Sequence, residues 1–334
     1  MEKIAIAGGG SWGSALANLL TDNHHDVMIY DNDVQTIQEI NHHHTNESKL
    51  GDVPLNSQIK GTSNLKELVN FSDLIVLAVP TSVTRIVLHD IKSILNTKKL
   101  FVNVAKGLEK DTNDRVSQIV YDELPKNFIE GFVSLTGPSH AEEVILRKIT
   151  SIVAASESIE HAKRVQKLFS NEDYFRVYTS TDLIGSELGG SLKNIYAIAS
   201  GMLDGLGYGI NAKSALITRG LIEMKRITVE LGGLEETLNG LVGVGDLIVT
   251  CMSRFSRNYS AGLMIGEGDD LKTSLSKMTM VVEGVKTCYT AHHLAKDLQI
   301  ETPIIDAVYD ILFNEIEPNI VIQQLMSRDL KSEQ

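Results

Sequence analysis

The stretch "IAIAGGGSWGSALANLL", residues 4–20, decides the fold. It sets Gly8, Gly10 and Gly13 in the spacing Gly-x-Gly-x-x-Gly, directly after a short apolar run and at the opening of a helical pattern. Each glycine answers a separate steric demand of a dinucleotide-binding turn. Gly8 permits the tight turn, Gly10 lets a pyrophosphate approach the backbone, and Gly13 lets the helix pack on the strand. Amides left free at the helix start then face the phosphates. A glycine-rich turn that holds no ligand is the plainer alternative, and the motif alone leaves it open.

Outward from this turn, apolar runs recur at 3–8, 26–31, 74–80, 100–107, 132–137 and 151–156. They lack strict polar alternation, as expected of strands buried on both faces of a parallel sheet. Helical stretches such as "SALANLLTDN" and "DRVSQIVYDEL" lie between them. The pattern predicts an α/β protein whose N-terminal part is a doubly wound, Rossmann-like domain. After about residue 180 the strand-like runs nearly vanish. Helices are expected over 182–204, 212–231, 233–239, 258–266, 283–297 and 303–314, making an all-α C-terminal domain. The expected division is 1–185, dinucleotide-binding, and 186–334, helical and bearing the substrate site. No Gly/Ser linker separates the halves, so they should pack tightly.

Bulk composition narrows the function. The 334 residues carry a net charge of −12, with 43% hydrophobic and 22% charged residues. Such an acidic chain offers no general attraction for nucleic acid or an anionic membrane, so none is expected as partner. A phosphate can still be bound where a local positive pocket is built. Cys251 and Cys288 are too few and too far apart for a disulfide framework or a metal site. The apolar run before Gly8 is too short for a signal-peptide core or a membrane span. A cytoplasmic protein is expected. The run His42–His44 has no supporting carboxylate or cysteine spacing and reads as a solvated loop; no metal is expected.

Asp31 ends the second strand, about twenty residues past the glycines, where an acid accepts hydrogen bonds from the adenosine ribose. An acid there repels a 2′-phosphate and leans the reading to NAD over NADP. A role as turn residue or cap stays open. The loops after later strands should line the same crevice: "VPTS" (79–82), "AKGLE" (105–109) and "TGPSHAEE" (136–143). They supply Lys106, Gly137 and Ser139, the last with Glu142 at capping-box spacing.

The other decisive stretch is "LGGSLKNIYAIASG", residues 188–201. A helix this apolar all round is buried, yet it holds Lys193 beside Asn194. Lysine is rarely buried without a partner. The small residues around it leave room for a second helix or a ligand, and a lysine snorkelling to solvent is the alternative. Asp246 and Thr250 in "GLVGVGDLIVTC" share one face if helical. "SRFSRN" adds Ser256, Arg257 and Asn258, and the planar fork of Arg257 suits a phosphate.

Together "GGGSWGSALA", "VAKGLE", "TGPSHAEEV", "ELGGSLKNIYAIASG", "AKSALITRGLIEM", "GLVGVGDLIVTCMSRFSRN" and "VVEGV" resemble the bacterial soluble NAD(P)-dependent glycerol-3-phosphate dehydrogenases, from residue 3 to about 325. The resemblance implies interconversion of sn-glycerol 3-phosphate and dihydroxyacetone phosphate, supplying glycerophospholipid synthesis, by a cytoplasmic homodimer. It implies Lys193 as the catalytic lysine, with Asp246 and Lys106 assisting. It implies Lys106, Gly137, Ser139, Asp246, Ser256, Arg257 and Asn258 at the substrate, with Asn194 and Thr250 in support. Ser11, Trp12, Lys106, Ala141, Arg257, Val281 and Glu283 match cofactor-contacting positions, alongside Gly8, Gly10, Gly13 and Asp31 from the motif. The sequence departs from the family twice. Asp31-Asn32-Asp33 stands where many members carry a base suited to a 2′-phosphate, which counts against an NADPH preference. Gly209-Ile210-Asn211 stands where members often read "GDN". A hydroxy-acid or hydroxyacyl dehydrogenase of similar architecture, or a cofactor-binding protein without turnover, are the rival readings.

Overall fold

β1 (Lys3–Ala7) runs through Gly8 into the helix Ser11–Asp22, as the glycine spacing requires. The computed structural model describes every residue except Asp111, Thr279, Lys331 and Gln334. Among the described residues one sheet forms from β1, β2 (Asp26–Tyr30), β3 (Lys60–Thr62), β4 (Leu74–Leu77), β5 (Lys99–Asn103), β6 (Ile129–Thr136), β7 (Thr150–Ala155) and β8 (Phe175–Ser180). Its order is β3-β2-β1-β4-β5-β6-β7-β8. Strand order reverses at β1, so the crevice where ligands bind opens beyond the carboxyl ends of β1 and β4.

The sheet is not parallel throughout, which corrects the expectation. β6 and β7 pair antiparallel, Thr136 opposite Val153, while β7 and β8 pair parallel. Between β6 and β7 the chain forms only the four-residue helix Ala141–Val144. A parallel crossover needs a longer connection covering the sheet face. Two strands lay outside the sequence reading. β3 is a three-residue polar edge, Lys-Gly-Thr. In β8, Phe175 and Val177 are buried while Arg176 and Tyr178 are exposed, a half-buried alternation rather than an apolar run.

The helical half is organised around one long helix, Leu183–Gly205, buried on nearly every residue to Met202. Asp182 caps it, accepting from Gly185 N (2.8 Å), and also takes Leu234 N (3.0 Å) and Thr237 Oγ1 (2.6 Å). The segment expected as a helix over 233–239 is instead a 3₁₀ turn, Glu235–Asn239, followed by a π-helical turn, Leu241–Gly245. Glycines at 232, 233, 240, 243 and 245 make a regular α-helix unfavourable there.

Toward its C-terminal end, at Gly201 and Gly205, the central helix admits another helix. A Cβ on Gly201 would lie 2.0 Å from Tyr259 O, and one on Gly262 would lie 2.0 Å from Ile198 O. The helix Arg257–Gly266 therefore crosses backbone against backbone. Gly262→Ala should destabilise the protein by about 1–3 kcal/mol or more, as overpacking does. Urea unfolding checks this; an unchanged midpoint would refute the close crossing.

The halves are joined by buried contacts. Leu108, from the loop after β5, is 2% exposed and packs within the helical core. Buried Glu187 on the central helix accepts from Ser117 N (2.9 Å) and pairs with Arg115 Nη1 (2.8 Å). Among the described residues, no helix is long and apolar enough to cross a membrane.

Candidate active site

The glycine turn is shaped by contact. Gly8 has φ +124°, and a Cβ there would lie 2.5 Å from Ala78 O; a Cβ on Gly13 would lie 2.0 Å from Gly8 O. Beside Gly10 there is open space, and the helix Ser11–Asp22 starts at Gly10 without any side-chain cap. An uncapped start on a twelve-residue helix, with room in front of it, fits a pyrophosphate. Ser11 Oγ donates to Lys49 O (3.1 Å) and lies 3.6 Å from the Met280 sulfur, so the segment before Glu283 reaches the turn. Trp12 packs against the core of the sheet.

Asp31 buttresses the turn. Its Oδ2 accepts from Gly9 N (2.8 Å) and its Oδ1 from Asp33 N (2.9 Å). Each oxygen keeps a further lone pair for a ribose hydroxyl. Asp33 caps the next helix, with the Thr36 hydroxyl foremost in holding its carboxyl below the usual range. Buried Asn46, which sequence reasoning missed, donates to Gly9 O (2.8 Å) and to Ser14 Oγ (2.9 Å). His42 and His43, just before it, are exposed.

Across the crevice the lysine of the central helix does not snorkel. Lys193 is 4% exposed and Asp246 is fully buried. Lys193 Nζ donates to Asp246 Oδ1 and to Thr250 Oγ1 (2.6 Å). Asp246 opens the helix Asp246–Met252, so Thr250 stands one turn on, on the same face, and donates to Asp246 O (2.6 Å). The second Asp246 oxygen accepts from Lys106 Nζ (3.0 Å), which also donates to Gly137 O (2.9 Å). One carboxylate thus bridges two ammonium groups from opposite halves of the chain. Burial, helped by the charge of Lys106 and opposed by Asp246, brings the Lys193 ammonium down to about 7.

The loop after β6 supplies the adjoining wall. Gly137 has φ +139° and lies against Ile152. Ser139 Oγ donates back to Gly137 O (3.0 Å). The capping box expected of Ser139 and Glu142 is not formed: the helix Ala141–Val144 starts from His140 with no side-chain cap, and buried Ala141 is its first residue. His140 faces Val249 O (3.4 Å) and packs 5.9 Å from the Phe255 ring. Burial, then the Lys193 charge, lower its pKa to about 4, so the imidazole is neutral near pH 7.

The residues of "SRFSRN" diverge in role. Ser256 Oγ caps the helix Arg257–Gly266, accepting from Tyr259 N (3.2 Å). Asn258, expected at a phosphate, is buried and engaged with protein: its Nδ2 donates to Asn194 Oδ1 (3.0 Å) and its Oδ1 accepts from Gly284 N (2.8 Å). Asn194 Nδ2 in turn donates to Lys106 O (3.2 Å). Arg257 is exposed at the start of its helix, with Glu283 within electrostatic reach.

Glu283 closes the crevice from the helical side. Its Oε1 accepts from Thr81 N (3.2 Å), at the start of the helix that follows β4. Burial pushes its carboxyl up, with the Thr81 amide and nearby cations opposing. A Cβ on Gly107 would lie 2.9 Å from Thr81 Oγ1 and 3.0 Å from Glu283 Oε2. Among the described residues the buried Thr81 hydroxyl has no hydrogen-bond partner. This polar corner fits the far end of a dinucleotide laid from the glycine turn. Exposed Val281 flanks it. The loop bearing Lys106 is clamped by a bidentate contact that sequence reasoning also missed, Arg85 to Glu109 (2.9 and 2.7 Å).

A doubly wound sheet with this turn, facing a buried lysine–aspartate–lysine cluster, is the framework of a dinucleotide-dependent dehydrogenase. Family models described as the N-terminus and the C-terminus of NAD-dependent glycerol-3-phosphate dehydrogenase match residues 3–162 and 182–323. The chain belongs to the NAD-dependent glycerol-3-phosphate dehydrogenase family. A glycerol-3-phosphate dehydrogenase [NAD(P)+] of Staphylococcus haemolyticus is 46% identical over 333 residues, covering 100% of both chains. The crystal structure of glycerol-3-phosphate dehydrogenase from Coxiella burnetii superposes with a TM-score of 0.92 at 35% identity, covering 98% of this chain and 99% of that one. D-mandelate dehydrogenase is similar in fold alone, with a TM-score of 0.61 at 18% identity over 96% of this chain and 99% of that one.

Proposed function

We propose that the chain interconverts sn-glycerol 3-phosphate and dihydroxyacetone phosphate with Lys193 moving the proton. The observation that carries this reading is Lys193 itself, buried, hydrogen-bonded to Asp246 and Thr250, and brought to about 7. Near that pH both of its forms are populated, so one amine can donate in reduction and accept in oxidation.

The nicotinamide, when bound, supplies or takes up the hydride at C2. Gly8, Gly10 and Gly13 with the amides of the Ser11 helix hold the pyrophosphate. Trp12, Ala141, Val281 and Glu283 border the rest of the dinucleotide. Lys193 delivers a proton to the carbonyl oxygen as charge grows there. Asp246 keeps both ammonium groups aimed at one point, and Thr250 fixes the Lys193 rotamer. Lys106 adds positive charge beside that oxygen, an effect strongest in a site shielded from water. Gly137 and Ser139 line the substrate pocket, and Arg257 holds the phosphate, with Ser256 setting the start of its helix. Anchoring the unreactive end turns binding into orientation at C2. The domain carrying the dinucleotide spans 1–185 and the substrate domain 186–334 in this reading. It also makes the protein a cytoplasmic homodimer that provides glycerol phosphate for glycerophospholipids and, at net charge −12, has no nucleic-acid partner.

NAD(P)H oxidation with dihydroxyacetone phosphate tests the activity; no turnover above a panel of hydroxy-acid and hydroxyacyl substrates would refute it. Run with both cofactors, the assay should show NADH at least as good as NADPH, because Asp31 repels a 2′-phosphate. A strong NADPH preference would show that Asp31 only buttresses Gly9. Arg257→Ala should raise KM for dihydroxyacetone phosphate roughly 10–100-fold, the loss of a charge-assisted hydrogen-bond pair. It should leave kcat/KM for unphosphorylated dihydroxyacetone near wild type. Equal losses on both ketones would contradict a phosphate role.

A further inference from the structure

Four successive residues of the loop after β5 are each held by a different part of the fold. Lys106 Nζ meets Asp246 and Gly137 O. Gly107 runs close against Thr81 and Glu283, and Leu108 is buried in the helical core. Glu109 turns to Arg85, whose Nε and Nη2 donate to its Oε1 (2.9 Å) and Oε2 (2.7 Å). Glu109 also knots the loop to itself. Its Oε2 accepts from Thr112 Oγ1 (2.6 Å), its N donates to Asp114 O (2.9 Å), and its O accepts from Asn113 N (3.0 Å). Arg85 stands one turn past Thr81 on the helix Thr81–Lys92, on the same face. One rigid element thus holds Glu283 by its Thr81 amide and the Lys106 loop by its Arg85 fork.

Exposed ion pairs contribute little, but a bidentate fork inside a network of charges fixes a geometry. Arg85 Nη1 also donates to Asp122 and lies 3.7 Å from Glu123 Oε2, while Nη2 lies 3.5 Å from Asp114 Oδ2. Carboxylates from the loop and from the helix Val116–Glu123 therefore converge on one guanidinium. We propose that Arg85 is a positioning residue that sets where Lys106 stands, by locking Glu109 to the helix that borders the cofactor corner. Without the guanidinium these carboxylates repel one another. Glu109, three positions from Lys106, is then pushed off the helix, and the backbone of Lys106 shifts with it. The proposal rests on Lys106 acting at the substrate carbonyl.

The test uses Arg85→Met in the full-length enzyme. The Arg85 side chain is 29% exposed, so the change opens no buried cavity. It should lower kcat for dihydroxyacetone phosphate by about 10-fold, the scale of a small misplacement of a reacting group. Arg85→Lys should cost less, because it keeps the charge and loses only the fork. Glu109→Gln alone should also lower kcat. Added to Arg85→Met, it removes the charge that drives the loop outward and should restore kcat by about threefold, a coupling that independent sites lack. In a Lys106→Met background, Arg85→Met should cost under about twofold further, since residues that act as a unit are non-additive. NADH affinity, read by quenching of Trp12, should stay within about threefold of wild type. Unaltered kcat in Arg85→Met would overturn the proposal. So would full additivity with Lys106→Met, or a further fall when Glu109→Gln is added. In each of those cases the reading of Lys106 stands. Should Lys106→Met alone leave turnover intact, that reading fails and the role of Arg85 fails with it.

Discussion

Lys193→Met is expected to lower kcat for dihydroxyacetone phosphate reduction by about 10²–10⁴-fold, the usual worth of a positioned proton donor. Methionine keeps the volume in a helix that is buried all round. NADH affinity should therefore stay near wild type, because the glycine turn lies on the other side of the crevice. The pH profile carries the sign. Reduction needs the ammonium, so its rate falls as pH rises through about 7, and oxidation of glycerol phosphate, which needs the free amine, rises over the same range. In Lys193→Met that limb should vanish. Near-normal turnover, or an unmoved limb in stopped-flow assays of both directions, would sink the assignment.

Asp246→Asn is expected to be the most damaging change to both stability and rate. The wild-type carboxylate is fully buried and accepts from two lysines, at 3.0 Å from Lys106 and in direct contact with Lys193. Asparagine keeps the shape but leaves two ammonium groups without a counter-ion. Removing one partner of a buried ion pair costs about 3–5 kcal/mol, since the other charge stays desolvated. Lys193 escapes part of that cost by releasing its proton. The surviving activity limb should then move to lower pH, opposite to the direction in which Asp246 now pulls. Adding Lys193→Met to Asp246→Asn should restore part of the lost urea midpoint. If Asp246→Asn unfolds at the wild-type midpoint, Asp246 does not hold the two lysines as charges.

The α/β class and the change to helices near residue 180 were legible because they rest on local rules. Buried parallel strands read as apolar runs, and a glycine turn admits few conformations. The antiparallel β7 was not legible, because strand direction depends on how the connection crosses the sheet. A three-residue polar edge such as β3 carries too little pattern to register. Lys193 drew attention as a charge in an apolar helix. The sequence could not say whether its small neighbours make room for helix or ligand; Gly189 faces Leu238 and Val242, Gly190 faces Thr136 and Lys106 at the site, and the close helix crossing falls further along, at Gly201 and Gly205.

The amino-acid sequence by itself determined which residue types stand at the crevice: three glycines at a βα turn, an acid at the end of β2, a lysine with an asparagine on a buried helix, an arginine after the Asp246 segment. It also determined family membership, through motifs spread along nearly the whole chain. Only the tertiary structure decided what those groups do to one another. Lys106 and Asp246 are 140 positions apart, yet share a hydrogen bond. The same packing turns Asn194 and Asn258 toward protein, Ser139 toward Gly137, and Asp31 toward Gly9. The reason is physical. Spacing along the chain controls local conformation, whereas hydrogen-bond partners and desolvation depend on which segments folding brings together.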